Sequence, residues 1–247
     1  MTKKYALITG ASYGIGAASA KKLAANSWNL ILVARRTEKL QTVKKEILAA
    51  YPELDVVILT QDLANIDELP TFYHNIAKQY DVKIWDNNAG FDRTGDVTSL
   101  DFETVKGMIN TNSTATAILS TLYAKDHEQD NAQLINVGSM VGYKIWPGDI
   151  LYSATKHFVT AFTEGLADEM KKKNAKLQVK LLSPFVTQSG FEKIALGHDV
   201  DYAKEGIKHN TSEEMAENLL KLIQSDKTVG FVNNEFNFEL LNYKLMK

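Results

Sequence analysis

Tyr152 and Lys156 stand four residues apart in Tyr152-Ser153-Ala154-Thr155-Lys156. On a helix that spacing puts both side chains on one face, one turn from each other. A fixed ammonium beside a phenol stabilises the phenolate, so the phenol pKa is expected below its usual value of about 10. Such a phenol can give or take a proton near neutral pH, as general acid–base catalysis requires. The pair alone signifies little, because a tyrosine packed under a solvated lysine has the same spacing. Two further features give it weight. Ser139 ends Val137-Gly138-Ser139 at the close of an apolar run, and Gly10-Ala11-Ser12-Tyr13-Gly14-Ile15-Gly16 follows another such run near the N-terminus. Glycines there permit a tight turn and a close approach of phosphate to the backbone, and the N-terminus of a following helix favours negative charge. Gly-x-x-x-Gly-x-Gly is not the commoner dinucleotide spacing, so its position after a first strand carries the inference.

The elements that must hold these residues alternate between strand and helix. Apolar, β-branched runs predict strands at 5–9, 29–34, 55–60, 82–87, 134–137, 177–182 and 229–232. Helical stretches separate them: one from the glycine loop to about 26, and one capped by Thr37 and stopped before Pro52. Others are expected at about 67–79, with Pro70 in the first turn, and at 101–127, 152–173 and 212–224. Asn110-Thr111-Asn112-Ser113-Thr114 interrupts the 101–127 pattern with side chains that compete for backbone hydrogen bonds, so a kink is expected there. Strand–helix alternation implies a parallel sheet of seven strands with helices on both faces, wound as one α/β domain over 1–247. In such sheets ligands bind beyond the carboxyl ends of the strands. Gly10, Asp62, Asn88, Ser139 and Pro184 each follow a predicted strand.

Arg35-Arg36 follows the second strand, where an acidic residue would hold the ribose hydroxyls of NAD. Two guanidinium groups suit a 2′-phosphate instead. A purely structural reason is weak, since two cations at a helix N-terminus oppose its dipole. Composition narrows the remaining classes. A net charge of −2 and a pI near 6.2 argue against nucleic acid as a partner. Cysteine is absent, which removes disulfides and thiolate metal sites. No apolar run approaches the roughly 20 residues that span a bilayer, and the N-terminus has no signal-peptide core, so a cytoplasmic protein with no membrane partner is expected.

Taken together, the chain resembles the single-domain short-chain dehydrogenases/reductases over essentially its whole length. The matching pieces are Thr9-Gly10-Ala11-Ser12-Tyr13-Gly14-Ile15-Gly16, Asn87-Asn88-Ala89-Gly90, Asn112, Gly138-Ser139 and Tyr152-x-x-x-Lys156, in that order. The resemblance implies a doubly wound Rossmann-type fold, a bound NADP(H), and reversible hydride transfer between nicotinamide and a small carbonyl or alcohol. It implies Tyr152 as proton donor, Lys156 as the cation beside it that also holds the nicotinamide ribose, and Ser139 as the hydrogen-bond partner of the substrate oxygen. Asn112 would keep a water linking Lys156 to solvent. Gly10, Ser12, Tyr13, Gly14, Ile15 and Gly16 would cradle the dinucleotide, with Arg35 and Arg36 at the 2′-phosphate. Asp62 and Leu63 would flank the adenine, and Asn88, Ala89 and Gly90 the adenosine side. Pro184, Phe185 and Thr187 would complete the cofactor site, and a substrate-loop region is expected at about 184–210. The resemblance also implies a homodimer or homotetramer.

Three positions depart from the family pattern. Tyr13 stands where many NADP-preferring members carry a basic residue. Asp86 replaces the usual aliphatic residue before Asn87 and reads as structural. Pro184-Phe185 replaces Pro-Gly after the sixth strand; a left-handed Phe185 would cost roughly 1–3 kcal/mol, so either a one-residue shortening or a rerouted turn is expected, with the ring lining the pocket near the nicotinamide. Phe191, Ile194 and Leu196 also belong to the expected pocket. His198-Asp199-Val200-Asp201 reads as an ordinary loop and not as a metal site. Two functions from different classes follow: an NADPH-dependent carbonyl reductase, or a dinucleotide-binding redox sensor without turnover. A complete Asn112-Ser139-Tyr152-Lys156 set favours the enzyme, because a sensor needs no proton donor.

Overall fold

The computed structural model describes residues 3–198 and 200–245. The first half runs β1 (Lys4–Thr9), α1 (Gly14–Ala25), β2 (Asn29–Ala34), α2 (Thr37–Ala50), β3 (Val56–Thr60), α3 (Leu69–Gln79) and β4 (Asp81–Asn87). It continues through α4 (Phe102–Ile109), α5 (Ala115–His127), β5 (Gln133–Val137), α6 (Ile150–Lys172) and β6 (Gln178–Ser183). The last third holds β7 (Thr187–Gln188), α7 (Phe191–Leu196), α8 (Tyr202–Glu205), β8 (Asn210–Thr211), α9 (Ser212–Gln224), β9 (Val229–Val232) and β10 (Phe238–Leu241).

The main sheet has the order β10-β9-β6-β5-β4-β1-β2-β3 and is parallel except where β10 returns antiparallel to β9. This is a doubly wound Rossmann-type sheet whose order reverses between β1 and β4, the place where such folds bind ligands. Its strands are buried on both faces, which is why they read as continuous apolar runs. Leu7, Ile31, Val33, Trp85 and Leu134 pack on one side with Leu69, Tyr73, Leu119, Tyr123 and Met170 of α3, α5 and α6. Ile8, Leu30, Leu32, Ile84 and Ile135 pack on the other with Leu23, Leu40, Val43 and Leu219 of α1, α2 and α9.

The sheet has eight strands, not the expected seven. The added strand, β10, pairs Phe238–Leu241 with β9 through a tight turn. Asn233 Oδ1 accepts from the backbone N–H groups of Glu235 and Asn237, and Phe236 takes a φ of 69°. Side-chain capping of this kind lets asparagine build a turn without glycine or proline. Thr37 does not cap α2: Arg36 occupies the N-cap with no side-chain bond, and Thr37 Oγ1 lies 2.7 Å from Thr60 Oγ1. The 101–127 helix breaks as expected at Asn110–Thr114, which form a π-helical turn between α4 and α5. The segment before α9 is more ordered than expected, with β7 and β8 pairing in a small parallel sheet around α7 and α8.

Candidate active site

Six strand ends open onto one cleft of about 600 Å³. Gly10, Ser12, Tyr13, Gly14, Ile15 and Gly16 line it after β1; Arg35 and Arg36 follow β2, and Asp62 and Leu63 follow β3. Asn88, Ala89 and Gly90 line it after β4, Ser139 after β5, and Pro184, Phe185 and Thr187 after β6. Tyr152 and Lys156 enter from the first turns of α6. Asn112 does not reach the cleft surface; it is buried behind it. The side chain of Ile194 and all of Asp199 lie outside the described residues.

The glycine loop fits tightly against the order-reversal point. A Cβ at Gly10, whose φ is +67°, would stand 2.9 Å from Asn88 Nδ2 and from the backbone of Ala89. Asn88 Nδ2 donates to the Thr9 carbonyl at 2.9 Å, and the Ala89 N–H donates to Thr9 Oγ1 at 3.0 Å. These bonds lock the loop after β1 to the loop after β4. The first turn of α1 carries no acidic residue, so its free N–H groups face the cleft without competition. Arg35 reaches Asp62 at 3.9 Å, and the Arg36 guanidinium lies 4.9 Å above the Tyr13 ring. Backbone donors at one end and two guanidiniums beside them suit a phosphorylated dinucleotide, so the residues fit NADP(H).

The tetrad residues converge from separate elements. Lys156 is buried, donates from Nζ to the Val137 carbonyl at 2.8 Å, and sits 5.7 Å from the Tyr152 ring centroid. The Ser139 hydroxyl is in hydrogen-bonding reach of the Tyr152 phenol and accepts from the Val141 N–H at 3.3 Å. Asn112 Nδ2 donates to the Phe91 carbonyl at 2.8 Å and to Thr155 Oγ1 at 3.2 Å, while its Oδ1 accepts from the Phe91 N–H. Both groups stand at Gly90, where a Cβ would be 3.2 Å from Asn112 Oδ1 and 3.5 Å from Lys156 Nζ.

The electrostatics correct one expectation. The Tyr152 phenol is pushed above its ordinary value, not below it. Burial is the largest cause, and the Asp92 and Asp149 carboxyls add to it, while the Ser139 bond acts the other way. The same burial pushes Lys156 down to about 8. Desolvation penalises the charged form of both groups, and for Lys156 it outweighs the opposing pull of the Asp92 carboxyl.

Asp92 and Asp149 were not singled out from the sequence. Asp92 is only 4 % exposed, its carboxyl is in hydrogen-bonding reach of Asp149, and burial with that neighbour pushes it up to about 7. Both line the cleft beside Tyr152. They meet where the Gly95 N–H bonds the Gly148 carbonyl at 2.8 Å, while the Thr94 N–H ties the same segment to the Ala195 carbonyl of α7 at 3.0 Å. The signal available in the sequence was Asp149 itself, three residues before Tyr152, one helical turn away. Phe185 lines the cleft with its ring between Trp146 (6.4 Å) and Phe236 (5.0 Å). Positive φ outside glycine occurs among the described residues at Ser27, Asn174 and Phe236, so Phe185 is not left-handed. Among the described residues no cluster of three or more metal-ligating side chains is present, and no helix is long and apolar enough to cross a membrane.

A sheet reversing at β1 and β4, with a glycine loop, a buried lysine and a phenol at that reversal, defines a dinucleotide-dependent oxidoreductase fold. The family model for short chain dehydrogenases matches residues 4–196, and the chain belongs to that family of oxidoreductases. It is similar to the dehydrogenase/reductase SDR family member 11 of Gallus gallus, with 30% identity over 91% of this chain and 91% of the relative. It is also similar to sulfoacetaldehyde reductase 2 of Chromohalobacter salexigens, with 30% identity over 88% of this chain and 85% of that one. Among solved structures, a short-chain dehydrogenase from Sphingobium yanoikuyae in complex with NADPH superposes with a TM-score of 0.82. It is 27% identical, over 93% of this chain and 87% of that chain.

Proposed function

We propose that the protein is an NADP(H)-dependent carbonyl reductase, built as one domain, that uses the Ser139, Tyr152 and Lys156 side chains for proton transfer. The observation that carries this reading is the convergence of those three groups at one end of a cleft whose other end holds the glycine loop and two arginines. When bound, the nicotinamide supplies the hydride. Tyr152 gives the substrate oxygen its proton, Ser139 holds that oxygen, and Lys156 holds the ribose and steadies the phenol's charge. Asn112 fixes the π-helical turn behind Lys156. A phenol pushed up by burial keeps its proton at neutral pH, which favours the direction of reduction. Support for NADP(H) comes from the arginine pair and from the NADPH named in the Sphingobium yanoikuyae complex. A homodimer or homotetramer belongs to the same reading, with the Phe158 ring, 44% exposed and stacked on Phe162, open to a second copy.

The decisive experiment offers ketones, aldehydes and acyl thioesters with NADPH and follows the loss of cofactor absorbance. Turnover of at least one class is expected. Tight NADPH binding with no turnover of any of them would replace the enzyme with a dinucleotide sensor.

Two predictions follow from the lining of the cleft. Arg35→Ala combined with Arg36→Ala should weaken NADPH by roughly 10- to 100-fold while changing NADH little, because charge-assisted bonds to the 2′-phosphate are lost. Titration of both cofactors decides it, and equal losses for the two would sink the assignment. Phe185→Ala should raise kcat/KM for bulky ketones relative to small ones by roughly tenfold, as removing a ring opens space beside Trp146. An unchanged ratio would show that Phe185 does not limit substrate size.

A further inference from the structure

Tyr13 occupies the position where a basic residue would be expected for a phosphorylated cofactor, yet its surroundings supply one. It is the N-cap of α1, in an extended conformation with φ of −167°, and its side chain makes no capping bond to the helix. The ring instead lies under the Arg36 guanidinium, 4.9 Å from ring centroid to guanidinium carbon. Arg36 is itself the N-cap of α2 and is exposed. Among the described residues it has no ion-pair partner, whereas Arg35 has Asp62 at 3.9 Å. The Tyr13 face is thus the support that the structure gives Arg36.

On its other edge Tyr13 meets the segment after β7. A Cβ at Gly190, whose φ is +75°, would stand 3.7 Å from Tyr13 Cδ2. The neighbouring Ser189 carbonyl lies 2.7 Å from where a Cβ of Gly14 would be. The ring is therefore braced between a turn that covers the glycine loop and a guanidinium at the cleft rim. Arginine has a long side chain with many rotamers, and ordering it on binding costs affinity. A cation held over an aromatic face is ordered in advance, and its planar fork remains free at the edges for a phosphate.

We infer that Tyr13 is a positioning residue for cofactor selectivity: held between the Ser189–Gly190 turn and Arg36, its ring fixes the Arg36 guanidinium to receive the 2′-phosphate, an inference that rests on the NADP(H) reading above. The residue contributes no charge of its own. It stands in for the missing basic side chain by preparing one from the neighbouring strand end. The Ser189–Gly190 turn belongs to the region expected to shape the substrate pocket, so selectivity for the phosphate and closure over the glycine loop share one ring.

The test is a set of dissociation constants for NADPH and NADH, measured by fluorescence titration on the intact protein. Tyr13→Ala should weaken NADPH by roughly three- to tenfold, the scale of one cation–ring contact, and shift NADH less than twofold. Tyr13→Phe should keep the NADPH-to-NADH ratio, because the face and not the hydroxyl does the holding. In an Arg36→Ala background, Tyr13→Ala should add nothing to the ratio. A ratio unchanged by Tyr13→Ala, an equal loss for both cofactors, or an effect that persists without Arg36 would overturn the inference. A wild-type protein that binds NADH as tightly as NADPH would instead overturn the cofactor reading beneath it. NADH binding and the melting temperature of each variant report whether the glycine loop still folds.

Discussion

Tyr152→Phe is expected to bind NADPH as the unmodified protein does and to lose turnover by about 10²- to 10⁴-fold, the contribution of a positioned proton donor. The ring would stay where it is. It packs on Phe191 with centroids 5.5 Å apart and lies 5.7 Å from Lys156 Nζ, and neither contact needs the hydroxyl. What disappears is the phenol hydroxyl, which is in reach of Ser139 and faces the cleft with a proton to give. Stopped-flow or steady-state loss of NADPH absorbance on an accepted carbonyl, alongside an NADPH titration, separates the two quantities. Near-normal turnover would mean that the proton comes from elsewhere. Asp92 would then be the first group to examine, since it is buried in the same cleft and holds its proton to about pH 7.

How much of this could be read without coordinates depends on the range of the contacts involved. The strand ends were legible because buried parallel strands announce themselves as apolar runs, and a reversal in strand order places their ends together. An interruption at Asn110–Thr114, though not its π-helical form, was legible because five polar, backbone-competing residues stood in a helical pattern. Asp92 and Asp149 were not, because they approach through a backbone bond between loops, Gly95 to Gly148, that follows no periodicity. The direction of the Tyr152 shift was misjudged for a related reason. A spacing of four residues shows that a lysine is near, but not that both groups are desolvated. The hairpin that adds β10 turned on one asparagine, Asn233, whose side chain bonds the backbone of the residues after it, a weaker signal than Asn-Gly or Pro-Gly. That Phe185 avoids the left-handed region was legible because the steric rule against left-handed bulky residues is local.

Replacing Asp86 by valine should stabilise the protein, and by more at pH 8 than at pH 5. Asp86 lies in β4, in register with Ile8 of β1 and Ile135 of β5, and is 0 % exposed. Neither carboxyl oxygen has a hydrogen-bond partner among the described protein groups, and the residue is not part of the cleft lining. A buried polar group without a partner costs roughly 1–3 kcal/mol by mutational measures. Burial pushes this carboxyl from 3.8 up to about 8, so the folded protein keeps a proton that the unfolded chain releases. The unfolded state therefore binds fewer protons between pH 4 and 8, and stability falls as pH rises through that window and levels off above it. Valine removes the titrating group, has nearly the same shape, and prefers a strand. At about 2–4 °C per kcal/mol for a chain of this size, the gain should exceed 2 °C at pH 5 and grow severalfold by pH 8. Thermal or urea midpoints of the two proteins at both pH values measure it. An equal gap at the two pH values would show that the carboxyl does not titrate in this range, and a less stable variant would show that a donor in the core satisfies it.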